Sequence, residues 1–218
     1  CVTEQFHYDA FEDKGYFCAV NGQKSYNGVA LISRSEITDI VHDIPNFPTD
    51  EKRVIAGTIQ GIRVINLYVV NGQNPESPKY EYKLAWMDAV KNYIKEEMEK
   101  YPQLIILGDF NIAPRDEDVH DPQAWKNRIL CTDKEREVFD EFLQLGLADG
   151  LRMFATPWGD FTWWDYRNQG FEKNQGLRID HLLLSLEASS RVESTRIYTD
   201  VRAHERPSDH APVSVVLC

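Results

Sequence analysis

Acidic, amide and imidazole side chains occur together in three short segments whose chemistry suits phosphate-ester hydrolysis. The segments are Gly108-Asp109-Phe110-Asn111, Leu177-Arg178-Ile179-Asp180-His181 and Pro207-Ser208-Asp209-His210-Ala211-Pro212. Carboxylate oxygens suit Mg²⁺, a hard cation that keeps several waters for a substrate phosphate to displace. A cation beside the phosphate neutralises developing charge and lowers the pKa of bound water. These residue types therefore predict metal-assisted hydrolysis.

Each polar residue of these segments has a role that suits its chemistry. Asp209 is a candidate metal ligand. His210 would donate a proton to a phosphoryl oxygen if a carboxylate such as Asp180 held its other nitrogen. Asp109 would orient or deprotonate the attacking water, and Asn111 would hold that water or the phosphate. A lone Asp-His pair is weak support, since most such pairs cap helices or face solvent, but three segments together are stronger.

The stretch around Asp109 is predicted to be the junction between a buried strand and a loop. Residues 104–107 are all apolar, which is typical of a buried strand, and Gly108 ends it. Residues two apart in an extended segment point to the same side. We therefore expect Asp109 and Asn111 to face one pocket, with Phe110 packed behind them.

The elements around this junction are predicted to be strands joined by turns and two main helices. Apolar runs predict strands at residues 28–33, 54–59, 62–69, 103–108, 179–185, 193–200 and 211–217. Gln60-Gly61 predicts a hairpin turn. Apolar spacing predicts a helix over 84–98, and Thr132 with Glu135 forms a capping box for a second helix that ends at Gly146. Because short turns join several strands, we expect layered sheets with helices over them rather than a βαβ winding.

Two proline-containing segments add local predictions. Asp121-Pro122 has the features of a helix start, because the missing N–H of proline costs nothing in the first turn. Asp209 and His210 would point to opposite faces of a regular strand. The flanking Pro207 and Pro212 instead predict a loop before the last strand, from which both side chains can reach one site.

Length, charge and cysteine content limit the class of protein. The 218 residues, 42% apolar, can bury a substantial core. A net charge of −11 argues against nonspecific nucleic-acid binding through overall charge, since phosphate contacts need local Lys and Arg. No run of about 18 apolar residues and no signal pattern occurs, so we expect a soluble, cytoplasmic protein. The four scattered cysteines predict free thiols.

The three segments, together with further motifs in the same order, resemble the exonuclease III type of apurinic/apyrimidinic endonuclease. That family is a branch of the endonuclease/exonuclease/phosphatase superfamily. The further matches are Asn21-Gly22-Gln23-Lys24 with Tyr26 to Ala30, Asn-Leu-Tyr ending at Tyr68, Asn71-Gly72, and Phe-Thr-Trp-Trp-Asp-Tyr-Arg at 161–167. The resemblance covers almost the whole chain. It implies an α/β (α+β) fold, a four-layered sandwich of two mixed β-sheets packed face to face and flanked by helices.

The resemblance implies a DNA-repair nuclease. Its reaction would be Mg²⁺-dependent hydrolysis of the phosphodiester 5′ to an abasic site, with Mn²⁺ as a substitute and with 3′-to-5′ exonuclease and 3′-phosphatase activity. The expected partner is double-stranded DNA with abasic sites or 3′ ends, bound by a monomer of bacterial type that associates with the nucleoid. Two alternatives stay open: a noncatalytic nucleic-acid-binding module, and a related phosphodiesterase that acts on RNA or a phosphoinositide.

The same resemblance assigns roles to individual residues. Asp109 becomes the water-activating carboxylate, Asn111 a ligand of phosphate or water, and Asp180 the partner of the catalytic His210. Asp209 becomes a metal ligand, and the metal-binding set also includes Asp109 and Asn111.

The substrate-binding residues implied by the resemblance lie outside the three segments. Tyr68 matches the tyrosine that contacts the scissile phosphate, and Asn71 is expected to bind substrate beside it. Trp163 matches the aromatic side chain that lines the pocket for a flipped-out abasic sugar. From pattern alone Tyr68 would be a core residue, and one of Trp163 and Trp164 should be core. Arg178 and Arg167 have two open interpretations, phosphate contact or pairing with acids.

One part of the family pattern has no clear counterpart here. The family begins with a strand carrying an active-site Asn, followed by a helix and a strand ending in Gln-Glu-Thr-Lys, whose Glu is the main metal ligand. We therefore expect residues 1–218 to form a single domain that lacks its N-terminal portion. We also expect these residues alone to bind metal poorly.

Overall fold

A six-stranded sheet lies at the centre of the computed structural model, which describes residues 1–154 and 158–218. The described strands are β1 (Phe17–Asn21), β2 (Val29–Ser33), β3 (Ile37–His42), β4 (Val54–Ile59), β5 (Ile62–Tyr68), β6 (Leu104–Asp109), β7 (Ala148–Asp149), β8 (Trp163–Trp164), β9 (Gly176–Leu177), β10 (Asp180–Leu184), β11 (Val192–Ile197) and β12 (Val213–Leu217). The described helices are α1 (Tyr8–Glu12), α2 (Pro78–Lys100), α3 (Pro122–Trp125), α4 (Asp133–Gln144), α5 (Leu186–Ser189) and α6 (Thr199–Arg202).

The central sheet has the strand order β3-β4-β5-β6-β10-β7. Its strands pair antiparallel except β5 and β6, which run parallel. A parallel pair needs a crossover, and α2 supplies it by carrying the chain from β5 back to the start of β6. The layered sheets that the short turns predicted therefore contain one βαβ unit. The connection matters because it places the ends of β5 and β6 at the same edge of the sheet.

The two faces of the central sheet are covered by different layers. Helices α2 and α4 pack on one face, where Trp86, Met87 and Phe142 are buried against Ile65 and Ile106. The pairs β1–β2 and β11–β12 lie against the other face. The mixed α/β class with sheets and flanking helices is confirmed. In the described chain the second layer consists of the separate antiparallel pairs β1–β2 and β11–β12.

Most of the predicted elements are present. The hairpin at Gln60-Gly61 is confirmed, and both residues have positive φ, at 50° and 80°. Thr132 and Glu135 form the reciprocal capping box at the start of α4. The predicted strand 193–200 is wrong at its end, because β11 stops at Ile197 and α6 follows. Strands β1 and β3 were not predicted, since neither alternates cleanly between buried and exposed residues.

Two further observations concern the chain as a whole. In the described part of the chain, no helix combines the length and apolarity needed to cross a membrane. Cys1, Cys18, Cys131 and Cys218 are free thiols, as predicted.

Candidate active site

Three candidate residues lie side by side at one edge of the central sheet. The parallel register of β5 and β6 pairs Tyr68 with Asp109. The antiparallel register of β6 and β10 pairs Asp109 with Asp180. Residues in register on neighbouring strands have Cα atoms roughly 5 Å apart. The fold therefore brings together a phenol and two carboxylates from distant parts of the sequence.

The turn after β6 fixes the Asp109 side chain. Gly108 has φ +132°, and a Cβ atom there would lie 1.9 Å from the Leu67 carbonyl oxygen, so only glycine fits. Asn111 has φ 49°, in the left-handed region, which contradicts the extended geometry expected for residues 109–111. The turn still joins the two side chains. The backbone N–H of Asn111 donates to Oδ1 of Asp109 at 2.8 Å, and its Nδ2 donates to Oδ2 at 2.9 Å.

Protein groups occupy almost all of the hydrogen-bonding capacity of the Asn111 side-chain amide. Its Nδ2 also donates to the Val69 carbonyl at 3.0 Å, so both of its hydrogens are occupied. Its Oδ1 accepts from Nδ2 of Asn71 at 3.0 Å. Asn111 is buried, whereas Asn71 is exposed. The geometry therefore favours Asn111 as the residue that orients Asp109 over direct contact with phosphate.

His210 lies between two of the carboxylates. Its Nδ1 is 2.8 Å from Oδ2 of Asp180, and its Nε2 is 4.0 Å from Oδ2 of Asp109. Burial lowers the pKa of His210, but the hydrogen bond to Asp180 and the nearby charges of Asp180, Asp109 and Asp209 outweigh it and raise the pKa to about 9. The ring is therefore a charged imidazolium at neutral pH, and Nδ1–H donates to Asp180.

The surroundings of Asp109 favour the neutral form of its side chain, in contrast to the charged form favoured for His210. Its side chain is only 16% exposed. Burial and the Asp180 charge raise the pKa of Asp109 to about 7, while His210, the Asn111 N–H and Lys83 act in the other direction. A carboxylate with this pKa can accept a proton near neutral pH, which suits a general base.

Tyr68 lies at the border of the site and packs against the buried Arg53. The Tyr68 side chain is exposed at the end of β5, and the Arg53 guanidinium lies 5.1 Å from its ring centroid. Burial and the charges of Asp109 and Asp209 raise the pKa of the Tyr68 phenol, although Arg53 opposes the shift. The phenol is thus protonated at neutral pH and can donate a hydrogen bond. Tyr68 is at the site edge, which favours the substrate-facing interpretation over a core role.

Trp163 and Asp209 are joined by a hydrogen bond. Nε1 of Trp163 donates to Oδ2 of Asp209 at 3.0 Å, and the backbone N–H of Trp164 donates to the Asp209 carbonyl at 3.0 Å. Trp163 is half-buried, whereas Trp164 is 1% exposed and packs in the core. The prediction that one of the two tryptophans is core is confirmed. The loop before β12 does place Asp209 and His210 at one site.

Two side chains that support the site lie within the sequence motifs, but the motifs predicted no role for them. Oγ1 of the buried Thr162 accepts from the backbone N–H groups of Ile179 and Asp180, both at 3.0 Å, which fixes the start of β10. The ring of the fully buried His181 lies 2.8 Å from the Ile112 carbonyl. Burial, together with the charge of Arg178, lowers the pKa of His181 to about 4, so the ring is neutral and Nε2–H is assigned as the donor. The sequence signal that could have identified His181 is that a polar residue occurs within the mostly apolar stretch that forms β10.

The two arginines with open interpretations are both paired with acids. Arg178 is buried, with Nε 2.6 Å from Asp118 and Nη2 2.9 Å from Asp149. Arg167 is exposed and lies 3.4 Å from Asp165. Pairing with acids is therefore the interpretation that the structure supports, and for Arg178 the pairing is in the interior.

Comparisons with known proteins agree with this fold. Residues 2–210 match the endonuclease/exonuclease/phosphatase family. The exodeoxyribonuclease III of Haemophilus influenzae is 35% identical over 228 residues, which cover 97% of this chain and 84% of that protein. A structure of the Neisseria 3′ phosphatase NExo, bound to a product DNA hairpin, has a TM-score of 0.99 and 42% identity, covering 100% of this chain and 85% of that one. An AP endonuclease structure from Archaeoglobus fulgidus has a TM-score of 0.95 and 33% identity, with the same coverage.

The chain belongs to the endonuclease/exonuclease/phosphatase family. Within that family it is an enzyme of the exodeoxyribonuclease III and AP endonuclease type, as the sequence motifs predicted. Enzymes of this family generally use a divalent metal.

The described residues offer oxygen donors for such a metal but not a complete cluster. Among residues 1–154 and 158–218, no group of three or more His, Cys, Asp or Glu side chains is placed to hold an ion. Both oxygens of Asp109 accept hydrogen bonds from Asn111. Asp209 uses Oδ2 with Trp163, and its Oδ1 has no partner in the described chain. Mg²⁺ is commonly held by one or two carboxylates together with waters and phosphate, so Asp209 fits a ligand role.

Proposed function

We propose that this DNA-repair nuclease hydrolyses the phosphodiester 5′ to an abasic site in double-stranded DNA, and that it trims 3′ ends as a 3′-to-5′ exonuclease and 3′ phosphatase. The observation that supports this most directly is the row Asp180–His210–Asp109 at the sheet edge beside Tyr68. The names of the relatives, exodeoxyribonuclease III, 3′ phosphatase and AP endonuclease, support the same substrates. We further propose a single-domain monomer that acts on nucleoid DNA in the cytoplasm.

In the proposed mechanism, Asp109 and His210 divide the proton transfer and the charge stabilisation. Asp109 accepts a proton from water while the water oxygen bonds to phosphorus and the P–O3′ bond breaks. The leaving oxygen takes up a proton from solvent and becomes the 3′-hydroxyl of the upstream strand, and Asp109 later returns its proton to solvent. The imidazolium of His210, held by Asp180, donates a hydrogen bond to a non-bridging phosphoryl oxygen, where negative charge develops.

The neighbouring residues position the substrate. Tyr68 and Asn71 are exposed beside Asp109 and would donate hydrogen bonds to the scissile phosphate. Trp163 would line the pocket for the extruded abasic sugar. A missing base removes most of the unstacking cost of extrusion, so an aromatic pocket can select damaged DNA.

We propose Mg²⁺ as the cofactor, with Mn²⁺ as a substitute. Asp209 would hold it through the free Oδ1, and the predicted contributions of Asp109 and Asn111 would require these residues to share oxygens that already accept hydrogen bonds. When bound, the cation would supply positive charge beside the phosphoryl oxygens.

An incision assay on the full-length protein tests this function. A duplex with one abasic site, labelled at its 5′ end, should be cut on the 5′ side in Mg²⁺ or Mn²⁺ and left intact in a chelator. A recessed 3′ end and a 3′-phosphate end test the other two activities. Faster turnover of an RNA end or a phosphoinositide would favour the phosphodiesterase alternative. Binding of abasic DNA that is independent of Mg²⁺ and never leads to nicking would favour the noncatalytic module.

Replacing Trp163 with phenylalanine should lower kcat/KM on the abasic duplex by about 10-fold. Phenylalanine keeps an aromatic ring in the pocket but removes the N–H that holds the Asp209 carboxylate, and partners that orient a site residue are typically worth about 10- to 100-fold. The matched control is Trp164→Phe, which removes the indole hydrogen bond to Asn174 at 3.0 Å. Steady-state kinetics should separate the two variants. Equal losses in both would contradict a specific role for the Trp163–Asp209 bond.

A further inference from the structure

A lysine ammonium and a glutamate carboxylate lie buried beneath the turn that carries Asp109. The side chains of Lys83, on α2, and Glu135, on α4, are both 0% exposed and form an ion pair. A buried ion pair often adds little net stability compared with apolar residues of the same volume, although breaking it leaves a costly unpaired charge. Stability alone therefore does not explain why this pair is in the core.

The hydrogen bonds of the ammonium connect it to the candidate active site. Nζ of Lys83 donates to Glu135, to the backbone oxygen of Asn111 at 2.7 Å and to that of Asn71 at 3.3 Å. These three bonds use all three N–H donors of the ammonium. The two asparagines bound through their carbonyls also bind each other through their side chains. Lys83 thus holds the main chain on both sides of the amide pair that orients Asp109.

Glu135 is itself held in place at the start of α4. Its Oε2 accepts from the backbone N–H and the hydroxyl of Thr132, at 3.0 and 2.9 Å. The Thr132 hydroxyl oxygen lies 2.6 Å from the hydroxyl of Tyr80, which is on α2. The capping box therefore does more than start a helix, because it fixes the carboxylate that fixes the ammonium.

We infer that Lys83 and Glu135 are positioning residues of the active site, which hold the main chain of Asn71 and Asn111 so that the Asn111 amide keeps Asp109 oriented toward water. The inference rests on the proposed role of Asp109.

The variant Lys83→Met in the full-length protein tests the inference. Methionine has a similar length but donates no hydrogen bonds, so the two asparagine carbonyls lose their partner. We expect kcat on the abasic duplex to fall by about 10- to 100-fold. KM should change by less than about threefold, because Asn71 would supply one contact among those that hold the duplex, whereas the orientation of Asp109 governs the chemical step.

A double variant separates positioning from stability. Lys83→Met alone leaves a buried carboxylate without its cation, so the melting temperature should fall. Lys83→Met/Glu135→Gln removes that unpaired charge, and glutamine can still accept from Thr132. The melting temperature should then recover while kcat stays low, because the carbonyls of Asn71 and Asn111 remain unbound.

Two other ion pairs of α2 provide matched controls. Arg63 and Glu97 form an equally buried pair, with side chains 1% and 4% exposed. Arg63 donates to the carbonyl of Asp39, which is not one of the site residues. Lys91 joins α2 to α4 through Glu141, as Lys83 does through Glu135. Arg63→Met should lower the melting temperature, and Lys91→Met should lower it only slightly. Both should keep kcat within about twofold at a temperature where they are folded.

An NMR spectrum of the Asn111 side-chain amide gives a readout without substrate. Its NH₂ resonances should shift in Lys83→Met and stay unchanged in Lys91→Met. Recovery of kcat together with the melting temperature in the double variant, an equal loss of kcat in Arg63→Met, or unmoved Asn111 amide resonances in Lys83→Met would overturn the inference. Failure of the unsubstituted protein to cleave DNA would instead refute the proposed function, and the amide resonances would still decide whether Lys83 positions Asn111.

Discussion

Replacing Asp109 with asparagine is expected to lower kcat on an abasic duplex by about 10² to 10⁴-fold, the usual contribution of a general base. Asparagine has nearly the same shape, and its side-chain oxygen can still accept from the Asn111 N–H. What the variant loses is the negative charge that accepts a proton from water. Single-turnover incision kinetics at saturating enzyme would measure the chemical step directly.

The pH dependence makes this prediction specific. The pKa of Asp109 is raised to about 7, so the carboxylate form, and with it kcat/KM, should rise as the pH increases through about 7. In Asp109→Asn this acidic limb should disappear. Asp121→Asn is the matched control, because Asp121 is exposed and caps α3 through Oδ1, and asparagine caps equally well. An Asp109→Asn variant that kept the parent rate or the acidic limb would refute the general-base role.

Folding stability should separate this loss of activity from misfolding. The raised pKa of Asp109 means that burial disfavours its charged form, so above pH 7 the carboxylate destabilises the folded state. A neutral asparagine removes that cost. Chemical denaturation at pH 8 should therefore find Asp109→Asn at least as stable as the parent protein.

The sequence was most informative where chemistry and local turn rules coincide. The apolar run before Gly108, the capping box at Thr132 and the Pro-flanked Asp209-His210 segment each depend on neighbouring residues, and the structure has all three features. The register that pairs Tyr68 with Asp109 could not be predicted, because the two strands are separated in sequence by α2 and no local rule fixes a long-range pairing.

The roles of the residues that support the site, such as Lys83, could not be predicted from the sequence for a similar reason. Lys83 occurs on a helix that also has exposed lysines, and its burial follows from how α2 packs on α4. Asn111 was predicted to be extended, whereas it adopts φ 49° because its backbone N–H closes a turn onto Asp109. Asparagine tolerates this left-handed conformation better than most residues. The motifs therefore predicted which residues lie together in the site, and the contacts in the structure explain how those residues are held there.

Replacing His210 with alanine is expected to lower kcat by about 10² to 10⁴-fold as well, through loss of charge stabilisation at the phosphoryl oxygen. The parent kcat/KM should fall as the pH rises through about 9, where the imidazolium loses its proton, and this basic limb should be absent in His210→Ala. The acidic limb should move above pH 7, because Asp109 and Asp180 would then face each other without the cation between them. His204→Ala, an exposed histidine six residues earlier, should leave both limbs unchanged.

Stability should respond to His210→Ala with a definite sign. The pKa of His210 is about 9 in the folded protein and 6.5 as its ordinary value, so the protonated ring stabilises the folded state. That contribution is fully present below pH 6.5 and is lost as the pH rises through about 9. The stability difference between the parent and His210→Ala should therefore be larger at pH 6 than at pH 10. An equal stability difference at pH 6 and pH 10 would mean that Asp180 does not hold His210 as an imidazolium. The proposed role of His210 in charge stabilisation, beside Asp109 as the general base, would then be refuted.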